Sequence, residues 1–145
     1  MMLPENTIIS TPEDDMTIIE IVRGFPRNKD TSVTSYNTKK KKLCDGLIPS
    51  TRKSSVTDLI FIETDYDEVK LILTQDHKVY DEETREFIRA AVVPPGMLLK
   101  HIDDIEVKVV KVHKICNNVP QDVYTLTVEE TQCYFANGIL VHNGE

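Results

Sequence analysis

Hydrophobic and polar residues alternate with a period of two along several short stretches of the chain. The clearest are residues 105–109 (Ile-Glu-Val-Lys-Val) and 124–128 (Tyr-Thr-Leu-Thr-Val), where β-branched side chains favour a half-buried strand. Acidic or Asn/Gly/Pro clusters typical of turns separate these stretches. The pattern predicts a mostly β protein. Further strands are predicted at residues 7–11, 16–22, 56–63, 69–74 and 139–142.

Helical patterns are scarce. Only residues 82–92 support a helix, which the following Pro94-Pro95-Gly96 would end. Residues 25–55 are polar and poor in large apolar side chains, so the sequence predicts a flexible polar loop there. Four consecutive lysines, residues 39–42, lie within it. A nucleic-acid patch is one interpretation of this run, but solvated charge is favoured on an acidic chain.

Composition limits the class of protein. A chain of 145 residues with 40% hydrophobic content can bury one core, so a single domain is expected. The net charge of -7 argues against general binding to nucleic acid or anionic membranes. The sequence has neither a bilayer-spanning apolar run nor an export signal. We therefore expect an intracellular, cytoplasmic monomer whose three irregularly spaced cysteines are reduced.

The most informative chemistry lies near the end of the chain. An apolar segment, residues 133–141, runs directly into His142-Asn143. The side-chain amide of an asparagine can attack its own backbone carbonyl, and an adjacent imidazole can move the protons. This pair therefore predicts cleavage of the peptide bond that follows Asn143, with the chain acting on itself.

Three segments together carry a family resemblance. Residues 123–143 (Val-Tyr-Thr-Leu-Thr-Val through Asn-Gly-Ile-Leu-Val-His-Asn), residues 73–79 with their Thr-x-x-His pattern, and residues 3–8 (Leu-Pro-Glu-Asn-Thr-Ile) resemble, in order and spacing, the splicing regions of inteins. The short join at 95–105 leaves no space for a homing endonuclease, so the chain resembles a mini-intein. The resemblance implies an all-β, horseshoe-shaped Hint (hedgehog/intein) fold with pseudo-twofold symmetry and little helix.

This resemblance also divides the chain. Residues 2–143 would form a single splicing domain, and residues 1 and 144–145 would be extein or added residues. Splicing proceeds by acyl transfer without a cofactor, and its partners are the flanking extein segments in cis. The first residue attacks the preceding carbonyl to give a thioester or ester, the residue after the terminal asparagine takes the acyl group, and asparagine cyclisation frees the domain.

Four residues receive roles from the resemblance. His77 would protonate the nitrogen of the N-terminal scissile amide, and Thr74 would polarise or strain that bond. His142 would move protons while Asn143 closes to a succinimide, a step that depends on alignment of the amide with the carbonyl.

The departures from the family pattern are equally informative. Met2 occupies the position of the first nucleophile, and a thioether cannot perform the acyl shift. Gly144 occupies the position of the second nucleophile, so no acceptor exists there. Full splicing is excluded as written, which leaves at most slow C-terminal cleavage. Thr125 and Gln132 replace an aspartate and a histidine found in many members, and with Cys133 they are candidate assisting residues.

Other interpretations remain open. Cys133, His142 and His77 could bind zinc if they converge, but their spacing gives no independent support, and no metal site is predicted. Asn137-Gly138 is expected to be a simple hairpin turn. The whole chain could also be a non-catalytic β-rich module, or a different Hint-type autoprocessing domain.

Overall fold

Strands dominate the architecture. The computed structural model describes residues 2–27 and 31–143. The all-β prediction is confirmed, with one α-helix among the described residues. The elements in chain order are β1 (Leu3–Pro4), β2 (Ile8–Ile9), β3 (Met16–Thr17), α1 (Ile18–Gly24), β4 (Ser32–Asn37), β5 (Lys42–Leu47), β6 (Ser50–Thr64), β7 (Lys70–Leu73), β8 (Lys78–Asp81), β9 (Glu86–Arg89), a 3-10 helix (Ala90–Val92), β10 (Leu98–Leu99), β11 (Val107–Thr127), β12 (Cys133–Ala136) and β13 (Ile139–His142).

Most strands belong to one large antiparallel sheet. Its order is β3-β2-β12-β13-β8-β10-β11-β6-β7, with β1 added to β11 and β9 to β8. The long strands β6 and β11 pair over most of their length and form a two-stranded ribbon. The N-terminal strand β1 lies on β11, while the C-terminal strand β13 pairs with β8. The two ends of the chain therefore enter the same sheet close to the β7–β8 connection.

The core lies against this sheet. Side chains from both halves of the chain fill it, among them Leu3, Ile62, Leu99 and Tyr134, each nearly or fully inaccessible to solvent. Burial of such side chains contributes about 1.5–3 kcal/mol each. Since Leu3 belongs to β1 and Tyr134 to β12, core packing fixes the beginning of the chain relative to its end.

Within the stretch 25–55, which was predicted to be a flexible polar loop, residues 32–37, 42–47 and 50–55 form strands. Strands β4 and β5 form a hairpin there, and β6 begins at Ser50. Val33, Tyr36 and Ile48 are buried, so few but well-spaced apolar residues are enough to pack the hairpin onto the protein. The four lysines, residues 39–42, are exposed at its tip.

Two predictions of secondary structure are wrong. Residues 16–22, predicted as a strand, form β3 and most of α1, because Thr17 and Glu20 make a capping box that starts a helix. Residues 82–92, predicted as a helix, form a turn, β9 and the 3-10 helix. Arg85 in this turn adopts a positive φ of 61°, which no helix interior accommodates. No helix in the described ranges is long and apolar enough to span a membrane.

Candidate functional site

The head of the chain is held by Thr74. The backbone N–H of Met2 donates to Thr74 Oγ1 over 2.7 Å, and the Thr74 N–H donates to the Met2 carbonyl over 2.9 Å. Met2 is buried, with 7% of its surface exposed, and packs with Leu59 and Val123. The peptide nitrogen at the predicted N-terminal junction is therefore fixed by a hydroxyl inside the protein.

A tight turn places Thr74 and His77 together. Strand β7 ends at Leu73 and β8 begins at Lys78, and the His77 N–H donates to the Thr74 carbonyl over 3.1 Å. The His77 carbonyl in turn accepts from the N–H of Ala90 in the 3-10 helix. This turn sets the spacing of the Thr-x-x-His pattern: the hydroxyl and the imidazole lie at the two ends of one turn.

The imidazole of His77 faces the tail. Its Nε2 lies 2.7 Å from the carbonyl oxygen of His142, and only the carbonyl can accept, so Nε2 carries the proton. Its Nδ1 is buried and has no hydrogen-bond partner among the described residues. Complete burial lowers the pKa of His77 to about 4, although the hydrogen bond to the His142 carbonyl opposes this change. The ring is therefore neutral near pH 7.

The tail ends in a buried asparagine. Asn143 is 1% exposed, its N–H donates to the Gln132 carbonyl over 2.8 Å, and its Nδ2 donates to the Val128 carbonyl over 3.2 Å. His142 Nδ1 lies 3.1 Å from the Asn143 carbonyl oxygen. The His142 imidazole is thus within hydrogen-bond distance of the Asn143 carbonyl, and the Asn143 side-chain amide is anchored on Val128.

The three candidate assisting residues lie around this tail. Gln132 is exposed, has a positive φ of 58°, and contributes its backbone carbonyl to Asn143. Thr125 is buried beside Tyr134, and burial raises the pKa of Tyr134 to about 12 against the smaller opposing effect of the Thr125 hydroxyl. Cys133 pairs directly with His142 across β12 and β13.

The thiol of Cys133 is not directed at the junction. Its Sγ donates to the Tyr36 carbonyl over 3.3 Å and lies 3.5 Å from Ser35 Oγ, both on β4. Burial raises the pKa of this thiol, so it is a poor nucleophile and metal ligand. Within residues 2–27 and 31–143, no group of three His, Cys, Asp or Glu side chains is arranged to hold a metal ion.

The structure brings together Met2, Thr74, His77, His142 and Asn143 around one turn. Gly144, predicted as the position of the second nucleophile, lies outside the described residues, as do residues 1 and 145 that were assigned to the flanks. Hydrogen bonds of Thr74 to Met2 and of His77 to His142 hold the two ends of the described chain at this turn.

Asn137 has a structural role that the sequence did not reveal. It occupies the expected hairpin turn, with φ of 50° followed by 84° at Gly138. Its side chain also accepts from the N–H of Ile8 over 2.8 Å and donates to the Lys70 carbonyl over 2.9 Å. This clamp ties the N-terminal segment and β7 to the C-terminal hairpin. Only the Asn-Gly signal was visible in the sequence, and it predicts the turn without the clamp.

Solved structures with the same architecture cover nearly the entire chain. A bacterial intein-like domain from Clostridium thermocellum superimposes with a TM-score of 0.85 at 22% identity, covering 98% of each chain. A DnaB intein from Synechocystis sp. PCC 6803 gives 0.82 at 16% identity, covering 99% of each chain. An intein from a hyperthermophile gives 0.84 at 22% identity, covering 97% of this chain and 98% of its own.

This chain has the fold of the solved inteins. A scan against protein-family models and a sequence search of the curated proteins find no match. The three-dimensional likeness nevertheless confirms the fold predicted from the tail and the Thr-x-x-His pattern.

Proposed function

We propose that this chain is an intein-type splicing domain, which excises itself from a longer polypeptide and joins the flanking segments. The observation that carries the proposal is the pairing of the head with Thr74 and of the tail with His77, three residues further along the same turn. Acyl transfer between two ends of a chain requires them to be held near each other, which is the source of its effective molarity.

At the N-terminal junction, Thr74 and His77 would act on the amide whose nitrogen belongs to Met2. A thiol or hydroxyl at position 2 attacks the preceding carbonyl carbon, and the carbon–nitrogen bond breaks. The leaving nitrogen takes a proton to become an amine. The Thr74 hydroxyl holds this N–H, and the unpartnered Nδ1 of His77 is the nitrogen available to carry that proton.

The lowered pKa of His77 limits how many rings carry the proton that this step needs. With a pKa of about 4, roughly one ring in a thousand is protonated at pH 7. Each protonated ring is a stronger acid than an ordinary imidazolium, since burial disfavours its charge. His77 would therefore protonate the amide nitrogen through a sparsely populated but strongly acidic state.

At the C-terminal junction, Asn143 would attack its own carbonyl. The side-chain Nδ2 bonds to the backbone carbonyl carbon, the following peptide bond breaks, and the released nitrogen takes a proton. His142 Nδ1 is within hydrogen-bond distance of the carbonyl oxygen and stabilises its developing negative charge. The side chain must first leave the Val128 carbonyl, so this anchor restrains premature cleavage.

Two positions prevent this chain from completing the cascade. Met2 has no thiol or hydroxyl for the first acyl shift, and Gly144 offers no acceptor for the second. What remains is cyclisation of Asn143, which needs neither group. We therefore expect slow release of the terminal Gly-Glu dipeptide and no ligation.

Mass spectrometry of the intact chain during warm incubation tests this residual activity. The chain should lose the mass of the Gly-Glu dipeptide, and the matched Asn143→Ala variant should keep it. Deamidation at the same Asn-Gly pair is separated by its mass, because it exchanges an amide for an acid and releases no fragment. Equal loss of the dipeptide from the Asn143→Ala variant would refute the proposal.

The alternative is a non-catalytic β-rich module or another Hint-type autoprocessing domain. Met2 and Gly144 favour the inert module for the chain as written. Buried His142-Asn143 with an imidazole on the Asn143 carbonyl favours splicing over the other autoprocessing types, whose hedgehog-type members lack a terminal His-Asn. Loss of the dipeptide that depends on Asn143 would distinguish a splicing domain from the inert module and from the other autoprocessing types.

A further inference from the structure

A groove lies beside the head of the chain. It is lined by residues 54–58 of β6, by residues 74–76, and by Met2, Arg52 and Pro120. The groove contains exposed hydroxyl groups of Ser54, Ser55 and Thr57. No step of the proposed cascade uses these three hydroxyl groups.

The groove runs along the edge of β6. Successive side chains of a strand point to opposite faces, so a groove on one face would be lined by every second residue. All five residues from 54 to 58 line this one. Lining by consecutive residues indicates that the groove follows the strand's backbone edge.

That edge has no strand partner among the described residues. Strand β11 covers the opposite edge of β6 at Val56, Ser55 and Ser54, while β7 pairs only with residues 60–63. The backbone N–H and C=O groups that face the groove are therefore free to accept another strand, as open sheet edges do.

Met2 leads directly into this groove. Its N–H and C=O are both paired with Thr74, its side chain packs on Leu59 with Val56 nearby, and it forms part of the groove itself. A polypeptide that precedes Met2 must leave from this point, alongside the unpaired edge.

We propose that the segment preceding Met2 binds as an added strand along residues 54–58 of β6. This inference rests on the proposed function only in treating that segment as the acyl donor. Strand addition is held by main-chain hydrogen bonds, and the hydroxyl-rich wall adds no deep side-chain pocket. The groove therefore selects an extended backbone, tolerates varied side chains, and excludes proline wherever an N–H must pair with β6.

The experiment places an extension before Met2 in the full chain. Strands rise about 3.3 Å per residue, so about five added residues match the length of 54–58. Amide hydrogen exchange, followed by NMR, should show protection raised at least about tenfold at alternate amides of residues 54–58 and of the extension. Unchanged exchange in both segments would overturn the proposal.

A proline scan through the extension supplies the sharper control. Proline at positions whose N–H pairs with β6 should abolish the protection, and proline at the intervening positions should leave it, so the effect alternates with a period of two. A uniform effect, or none, would contradict strand addition. Amide hydrogen exchange does not depend on splicing. If the extension is protected but the dipeptide is not released, the proposed function is refuted and strand addition stands.

Discussion

The imidazole Nε2 of His77 and the carbonyl oxygen of His142 are 2.7 Å apart. Because Thr74 in the same turn binds both backbone groups of Met2, four residues of chain connect the head of the domain with its tail. We therefore expect movement or protonation of the His77 ring to alter the contacts of both Met2 and His142.

Stability should fall as the pH is lowered through the titration of His77. Its pKa is about 4 in the folded protein against about 6.5 when unfolded, so between these values the unfolded chain binds more protons. The stabilisation is fully present above pH 6.5 and is lost on acidification towards pH 4, by roughly 3 kcal/mol from this group. Urea unfolding at a series of pH values measures it.

His77→Gln is the matched control for that titration. Glutamine can still donate an N–H towards the His142 carbonyl but does not ionise in this range. The variant should show a flatter dependence of unfolding free energy on pH between 4 and 6.5. A slope identical to that of the unsubstituted chain would mean that other groups cause the acid sensitivity.

Thr74→Val should destabilise the head of the chain. The substitution keeps the shape of the side chain but removes the hydroxyl that accepts the buried Met2 N–H, at a cost of about 1–3 kcal/mol. Thr74→Ser retains the hydroxyl and should lose less. Urea denaturation compares the two variants, and a loss from Thr74→Ser as large as that from Thr74→Val would contradict a dominant contribution of the hydrogen bond.

Gln132→His should accelerate loss of the C-terminal dipeptide. Gln132 is exposed and its carbonyl binds the Asn143 N–H, so an imidazole there lies near the cyclising residue and can transfer protons. Such general acid–base assistance is worth on the order of a hundredfold. Gln132→Asn also tolerates the positive φ but cannot transfer protons, and it should leave the rate unchanged in intact-mass measurements.

Asn137→Ala should weaken the link between the two ends. It removes the hydrogen bonds to Ile8 and Lys70, which are exposed to solvent and worth about 1 kcal/mol together. Asn137→Gly also removes them but accepts the positive φ without strain. Comparison of their unfolding free energies separates the clamp from the turn: if glycine restores full stability, the side-chain contacts contribute nothing.

Strands were predicted best where hydrophobic alternation and β-branched residues occur together. The strands at 56–63 and 139–142 carry both alternation and β-branched residues, and they lie within β6 and β13. The prediction of a strand at residues 16–22 was wrong because a short apolar run fits a strand and a short helix equally well. The capping pattern Thr17-x-x-Glu20 was present and would have corrected the assignment.

Prediction of the candidate site was likewise limited to features that are local in the sequence. The Thr-x-x-His and His-Asn patterns predicted Thr74, His77, His142 and Asn143 from local spacing, and the structure places these residues near one turn. Their catalytic roles stay predictions. Contacts that depend on tertiary structure left no sequence signal, including the Asn137 clamp and the neutral state of His77, which comes from complete burial. The β4–β5 hairpin was missed because its few buried residues are surrounded by polar ones.

Self-splicing is tested by ligation of two reporter proteins, one fused to each end of the chain. With Met2→Cys and Gly144→Cys supplying the missing nucleophiles, we expect a joined reporter pair and a free domain. Adding Asn143→Ala should abolish the ligated product, because the branched intermediate can no longer be resolved. A folded precursor that stays intact with both nucleophiles in place would contradict self-splicing by this domain.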